Sequence, residues 1–268
     1  MVVILATNDD GINAAGLEAI IGELRSECDL LVVAPESQRS GESKALTFQT
    51  PIRAKKVGND ATTTTFAING TPADAVVLGA HLAKKIFGQS PDLVVSGINS
   101  GDNTSIHAVL TSGTCAAAFE AGIMGLPAVA FSRRVPETEF FENGNPDEFK
   151  ICAKYANDIV KKILECGLPT GVAFLNVNFP VNVSLDTQIL ITDVSPIGYT
   201  VDVQEIVDPR GSSVYWVWGP MDEEFKRGTD IHTLLVENKI SISPITLSLG
   251  APPKSIASMH LQSIGLDD

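Results

Sequence analysis

The stretch "ILATNDDGINAAGLEAI", from Ile4 to Ile20, passes from an apolar run to a helical pattern across two adjacent carboxylates. Val2 to Ala6 is a continuous apolar run of strand length, which is typical of a parallel sheet covered on both faces. Beyond the acidic turn, apolar side chains recur at i, i+3, i+4 and i+7, the spacing of one helix face: Leu17, Ile20, Ile21 and Leu24. The stretch therefore predicts a strand that enters a helix through Asp9 and Asp10.

The alternation of strand-like and helix-like segments continues along the chain. Further strands are predicted at Leu30 to Ala34, at Asp92 to Ser96, from Pro127 and at Val172 to Val177, and helices at about Thr114 to Met124 and Pro146 to Cys166. Strands that alternate with helices imply an α/β fold with a mostly parallel sheet. Past Ile189, strand-like segments follow one another without a long helix, which predicts an antiparallel extension, and a short helix from about Pro253 to Ile264 closes the chain. The best candidate for a boundary between the two parts of the chain lies near Pro180 to Asp186.

Composition excludes several classes of protein. The chain has 268 residues, of which 44% are hydrophobic, enough for a substantial core. Its 19 Lys and Arg stand against 32 Asp and Glu, and a net charge of −13 argues against binding to a nucleic-acid polymer. No segment has the basic start of a signal peptide or the roughly 20 apolar residues of a membrane span. Four scattered cysteines fit reduced thiols, so we expect a cytoplasmic protein without membrane contact.

Asp9 and Asp10 are placed where open α/β sheets bind their ligands, beyond the carboxyl end of a strand. Two adjacent carboxylates in a crevice repel each other by a few kcal/mol, and a hard divalent cation such as Mg²⁺ or Mn²⁺ relieves that repulsion. The alternative is structural: Asn8 and Asp9 cap the following helix, and Asp10 with Gly11 makes a turn. Taken alone, the stretch leaves both interpretations open.

Two further strand ends favour the cation. Ser40 and Gly41 lie in the loop after the second strand, and Asn99 ends a third strand. Each residue is a common turn or cap residue by itself. Because the carboxyl ends of parallel strands share one sheet edge, we expect Asp9, Asp10, Ser40 and Asn99 to gather around one point.

An anion site is predicted beside the cation. "TSGT", Thr111 to Thr114, precedes an alanine-rich helix, and exposed N–H groups at a helix start favour a phosphate group. The competing interpretation is an ordinary Ser or Thr N-cap. A cation that faces an anion-binding helix start is typical of a phosphate-ester site, where an activated water displaces the ester oxygen.

Competing motifs are missing from the sequence. There is no G-x-x-x-x-G-K-[ST] loop, no G-x-G-x-x-G turn after the first strand and no Asp-x-Asp pair for covalent phosphoryl transfer. His107, in the loop "GDNTSIHAVL", is a candidate general acid, although a solvated side chain is its default role. "YWVW", Tyr215 to Trp218, has strand alternation, and packing or a subunit contact is favoured over base stacking.

The order of these motifs over nearly the whole chain resembles the SurE survival proteins. The matching segments are "TNDDG", "VVAP" followed by "RSG", "GTPADAV", "VSGINSG", "SGT", "DPRG", and "GTD" followed by "ISISP". The resemblance implies a Rossmann-like core over about residues 1–185, with a β-rich C-terminal extension and terminal helix over about 186–268, in one domain. It also implies a homodimer or homotetramer in which a C-terminal hairpin is exchanged.

The resemblance implies a metal-dependent 5′-nucleotidase, in some members also a 3′-nucleotidase or polyphosphatase, with nucleoside monophosphates as substrates. One divalent cation per subunit, Mg²⁺ or Mn²⁺ with Ca²⁺ as an alternative, would be held by Asp9, Asp10, Ser40 and Asn99, and catalysis would involve Asp9, Asp10 and Asn99. Residues implied at the phosphate are Gly41, Asn69, Asn103, Ser112, Gly113 and Thr114.

The chain departs from the family pattern at Thr111, where many relatives have Tyr, and in a segment from Asn103 to Ser112 that is one residue longer. A second interpretation is a non-catalytic module that senses a nucleotide or a metal and acts through protein partners, and a third is a purely structural oligomer. The preferred base, the position of the ester and the size of the assembly do not follow from the sequence.

Overall fold

The computed structural model describes residues 2–136, 144–198, 200–217, 219 and 224–250. The strands in the described ranges are β1 Val3–Thr7, β2 Asp29–Pro35, β3 Ala54–Asn59, β4 Thr63–Ile68, β5 Leu93–Ser100, β6 Ala128–Arg133, β7 Phe174–Phe179, β8 Ile189–Ile191, β9 Val203–Val207, β10 Ser213–Val217 and β11 Ile240–Ile245. The helices there are α1 Ala15–Leu24, α2 Pro72–Phe87, α3 Ser105–Thr111, α4 Gly113–Ile123, α5 Lys150–Cys166 and α6 Asp230–Leu235, with a 3₁₀ turn at Pro146–Phe149 before α5.

The main sheet has a strand-order reversal at its first strand. Within the described residues nine strands are ordered β3-β4-β2-β1-β5-β6-β7-β11-β8, and most neighbours are parallel. The predicted α/β class with a mostly parallel sheet is therefore confirmed. Because β1 lies between β2 and β5, the chain winds outward in both directions from β1. Such a reversal opens a crevice at the carboxyl ends of the two strands.

Both faces of β1 are buried, which explains its unbroken apolar sequence. Ile4 and Ala6 pack in the cluster that contains the α1 residues Leu17 and Ile20, whereas Leu5 packs in a second cluster that contains residues of α2 and α4. Burial of one Leu or Ile side chain contributes about 1.5 to 3 kcal/mol. The first strand and the first helix lie where the sequence predicted them.

The C-terminal extension differs in part from the prediction. An antiparallel hairpin, β9 with β10, is present as expected. β8 and β11, however, pair in parallel, and β11 joins the main sheet beside β7. The connection between β8 and β11 includes the hairpin and α6, so it is long enough for a crossover that a tight turn cannot make. The predicted terminal helix at Pro253 to Ile264 lies outside the described residues.

Helices α3 and α4 meet end to end at Ser112, which ends the first and begins the second. The segment around His107 was predicted as a loop, and the structure corrects this, because that residue lies on α3. Among the described helices, none is long and apolar enough by itself to cross a membrane. Only α3 and α4 taken together, bent by 74°, meet the criteria of length and composition.

Candidate active site

A cleft of about 440 Å³ opens at the strand-order reversal. It is lined by Asp9 after β1, by Ser40 and Gly41 in the loop after β2, and by Asn99 near the end of β5. The loop is tied to the first strand end, because the Arg39 N–H donates to the Asp9 carbonyl at 2.7 Å. Three strand ends therefore contribute oxygen atoms to one cavity, although they are distant in sequence.

The acidic turn is closed by Asn8 and not by the carboxylates. Asn8 Nδ2 donates to the Gly11 carbonyl at 2.9 Å, and Asn8 Oδ1 accepts the Gly11 N–H at 3.2 Å. Helix α1 begins after Ala14, whose side chain makes no cap hydrogen bond. The interpretation in which Asn8 and Asp9 cap this helix is thus wrong, because the chain runs several residues further before helical geometry begins.

Asp9 is surrounded by the start of α4. The residue is 3% exposed, and its Oδ1 accepts a hydrogen bond from the Thr114 hydroxyl. Burial raises the pKa of Asp9 above its ordinary value, while the Thr114 hydroxyl and the N–H groups of Thr114 and Gly113 act in the opposite direction. The helix start therefore stabilises the negative charge of Asp9 inside the protein.

Gly113 permits this close approach of helix and carboxylate. A Cβ atom at position 113 would lie 2.6 Å from Asp9 Cβ and 2.9 Å from Asp9 Oδ2. Neither contact is possible for a real side chain without movement of α4 or of the turn. The glycine of the "SGT" segment is thus required here for packing against Asp9.

Asp10 has fewer partners than Asp9. Its Oδ2 accepts the Ser100 N–H at 3.1 Å. Burial first, and the neighbouring Asp9 charge second, raise the pKa of Asp10 from 3.8 to about 7. Two buried carboxylates that share a site keep a proton to neutral pH, unless a cation takes its place.

Asn99 presents an oxygen to the cleft. Its Nδ2 donates to the Gly101 carbonyl at 2.7 Å, which leaves Oδ1 as the end of the amide that can face a ligand. The pairing of β5 with β6 shifts register between Ser96 and Asn99. Gly97 has a φ of 120°, and a Cβ there would lie 2.2 Å from the Phe131 carbonyl, so the irregular strand end requires glycine.

The donor set fits a hard divalent cation. Carboxylate, amide and hydroxyl oxygens are the ligands that Mg²⁺ and Mn²⁺ prefer, and they leave places for water. No group of three or more His, Cys, Asp or Glu side chains suited to a metal occurs within the described ranges. A cation in this cleft would therefore depend on two carboxylates and on neutral oxygens.

Comparison with known proteins shows the family of the chain. The family described as "Survival protein SurE" matches residues 4–200. The chain belongs to the SurE family. A protein named 5′-nucleotidase SurE from Thermococcus kodakarensis is 40% identical over 248 residues, which is 92% of this chain and 93% of that protein. One of the same name from Methanocella arvoryzae is 38% identical over 255 residues, 94% of this chain and 95% of that protein. The crystal structure of the SurE protein from Aquifex aeolicus has a TM-score of 0.76 at 31% identity and covers 98% of this chain and 99% of that one.

Three of the residues that the SurE resemblance implies at the phosphate line the cleft, namely Gly41, Asn103 and Ser112. Ser112 also acts as an ordinary N-cap, because its hydroxyl accepts the Cys115 N–H at 3.0 Å. Gly113 and Thr114 contact Asp9, so the hydrogen-bond donors at this helix start are directed at the carboxylate of the protein itself.

Asn69 has a different position from the other residues of the SurE pattern. Asn69 lies in the turn between β4 and α2, and its Oδ1 accepts the N–H of Arg53, which precedes β3, at 2.7 Å. Asn69 is not among the described residues that line the cleft. The structure shows a role for Asn69 in this turn and no contact with the cavity.

Sequence reasoning missed the apolar part of the cleft. Val201 and Val217, at the base of the β9–β10 hairpin, also line it, together with the exposed His107 on α3. The hairpin residues lie far along the chain from the other lining residues, and a valine gives no local indication of a ligand.

Proposed function

We propose that this SurE-family chain hydrolyses nucleoside 5′-monophosphates to nucleoside and phosphate, with one divalent cation per subunit, Mg²⁺ or Mn²⁺. The relatives named 5′-nucleotidase SurE support the reaction. The observation that carries the proposal is the convergence of Asp9, Ser40 and Asn99 on one cleft; the adjacent Asp10 is not among the described lining residues, and its Oδ2 accepts the N–H of the lining residue Ser100.

Asp9, Asp10, Ser40 and Asn99 are the residues that would hold the cation. A bound divalent cation supplies positive charge to the phosphoryl group and makes water a better nucleophile. The residues of the chain orient the substrate and the attacking water and enclose them in the cleft. Asp9, fixed by the start of α4, accepts a proton from the attacking water or directs it, and Asn99 lines the same cleft.

The rest of the substrate would occupy the wider part of the cavity. Gly41, Asn103 and Ser112 border the place for phosphate, and the hairpin base offers an apolar wall to the nucleoside. A mononucleotide is of suitable size for a cavity of about 440 Å³. Activity on 3′-monophosphates and polyphosphate, with Ca²⁺ as an alternative cation, belongs to the same proposal.

The hairpin supports an oligomeric form. Val203, Val207, Tyr215, Trp216 and Val217 are 56 to 68% exposed on β9 and β10. A cluster of exposed apolar and aromatic side chains of this kind is typical of a subunit interface. We propose a homodimer or homotetramer in which this hairpin is exchanged.

The decisive experiment measures phosphate release from AMP and GMP with Mg²⁺, Mn²⁺, Ca²⁺ or EDTA. The wild-type protein should turn over only with a cation, and Asp9→Asn should lose activity by at least about a hundredfold, since one charged ligand supplies several kcal/mol. Asp158→Asn, an exposed carboxylate on α5, serves as the matched control and should retain full activity.

A nucleotide-sensing module is the competing function. It predicts binding of AMP without phosphate release in any of these conditions. Full activity of folded Asp9→Asn, or of the wild-type protein in EDTA, would refute the metal-dependent hydrolysis.

A further inference from the structure

Asn103, in the cleft lining, lies on the short segment between β5 and α3. It is 6% exposed. In the described part of the chain its main-chain N–H and carbonyl have no main-chain partners. Buried backbone groups without hydrogen-bond partners destabilise the fold, so side chains must satisfy them.

The side chains that satisfy both groups come from β7. Asn178 Oδ1, on β7, accepts the Asn103 N–H at 2.7 Å, and Asn178 Nδ2 donates to the Asn103 carbonyl at 3.4 Å. Asn176, on the same strand, donates to that carbonyl at 2.8 Å. The Asn103 side chain in turn donates to the Ser132 hydroxyl on β6 at 2.7 Å. Both main-chain groups and the side chain of Asn103 are therefore fixed by other strands.

Asn178 does not line the cleft. It is fully buried and does not belong to the described lining, and its polar groups are directed at the backbone of Asn103. An amide at this position is costly to bury unless both of its ends are used. Its contacts thus serve one segment, and that segment carries a residue of the proposed phosphate site.

We propose that Asn178 is a positioning residue of the cleft, which acts through Asn103. This inference rests on the proposed function for the reaction that it affects. Loss of the Asn178 amide leaves a buried N–H without its acceptor, so the segment shifts until water or another group satisfies it. Displacement of a substrate-positioning side chain by about 1 Å can cost about a hundredfold in rate.

A double-mutant cycle tests this connection. The proteins are the wild type, Asn178→Ala, Asn103→Ala and the double variant, and the measured quantities are kcat and KM for AMP with Mg²⁺. We expect Asn178→Ala to lower kcat/KM by about 10- to 100-fold in the wild-type background, with the larger part in kcat. In the Asn103→Ala background the same change should cost less than about threefold, because no side chain remains to be positioned.

A matched control separates positioning from general destabilisation. Asn157, on α5, is also a buried asparagine, and Asn157→Ala should lower the melting temperature while kcat/KM stays at the wild-type value. If Asn178→Ala does not fold, Asn178→Asp takes its place in the cycle, because it keeps an acceptor for the Asn103 N–H and loses the donor. Its expected loss is smaller, about three- to tenfold.

Binding of inorganic phosphate with Mg²⁺, measured by calorimetry on the same proteins, provides the readout without turnover. The proposal is supported if Asn178→Ala weakens phosphate binding in the wild-type background and has no effect on it in the Asn103→Ala background. An equal loss from Asn178→Ala in both backgrounds, or an equal loss of kcat/KM in Asn157→Ala, overturns it. A wild-type protein that binds phosphate but releases none from AMP refutes the proposed function, and the binding cycle still decides the role of Asn178.

Discussion

Replacement of Asp10 by Asn should remove a pH dependence of stability from the metal-free protein. In the folded protein the pKa of Asp10 is raised from 3.8 to about 7 by burial and by the Asp9 charge. Between these two pH values the folded state keeps a proton that the unfolded state has lost, so the free energy of unfolding falls as the pH rises. The stabilising effect of the proton is complete below about pH 4 and is lost as the pH passes through about 7.

The size of the effect follows from the same values. A change in pKa from 3.8 to about 7 corresponds to about 4 kcal/mol between pH 4 and pH 8. Asn at position 10 still accepts the Ser100 N–H but carries no charge. Asp10→Asn should therefore be as stable as the wild type near pH 4 and more stable by up to about 4 kcal/mol at pH 8.

Urea unfolding of both proteins in EDTA, at intervals from pH 4 to pH 8, gives the required difference in free energy. Addition of Mn²⁺ at pH 8 should stabilise the wild type, by about 2.7 kcal/mol at a hundred times the dissociation constant, and should have little effect on the variant. The reasoning is refuted if the two proteins show parallel pH dependence in EDTA, since burial of a charged pair would then have no cost.

Two other predictions concern packing and assembly. Gly113→Ala places a Cβ atom 2.6 Å from Asp9 Cβ, so α4 must move and kcat/KM for AMP should fall by about a hundredfold. Gly22→Ala, with nothing within 4 Å of its Cβ, is the control and should keep full activity. Equal activity of the two variants would contradict the packing argument. Trp216 is 63% exposed on the hairpin, so Trp216→Ser should lower the molar mass of the assembly measured by light scattering. Leu185, 67% exposed outside the hairpin, provides the control, and Leu185→Ser should leave the mass unchanged. An unchanged mass for Trp216→Ser would exclude the hairpin interface.

The sequence predicted those parts of the fold that depend on local periodicity. The run from Val3 to Ala6 is apolar at every position because β1 is buried on both faces, and Leu17, Ile20 and Leu24 lie on one buried face of α1. The site could be placed in outline for a similar reason. Once the strands are known to be parallel, their carboxyl ends must share one edge, so Asp9, Ser40 and Asn99 had to approach one another.

The rest of the site depends on contacts that local patterns do not encode. The sequence "AKKVGN" of β3 is largely exposed, and therefore lacks the apolar run of a central strand. Helix α3 has seven residues, too few for a clear period, so its segment was interpreted as a loop. The roles of Asn69 and Asn178 were hidden as well, because each is determined by a hydrogen bond to a backbone group in another segment.

The start of α4 shows why a motif can be located correctly and still have a different role. A helix start with Ser, Gly and Thr is a suitable anion site, and the sequence predicted an anion there. In the structure that anion is the Asp9 carboxylate, which receives the Thr114 hydroxyl and the N–H groups of Gly113 and Thr114. Asp10 receives one N–H from Ser100, and burial raises the pKa of both carboxyls, so Asp9 and Asp10 titrate as a pair. The helix start is thus already occupied by an anion of the protein, and under the proposed function a substrate phosphate would take its donors from residues that line the open cleft, such as Asn103 and Ser112.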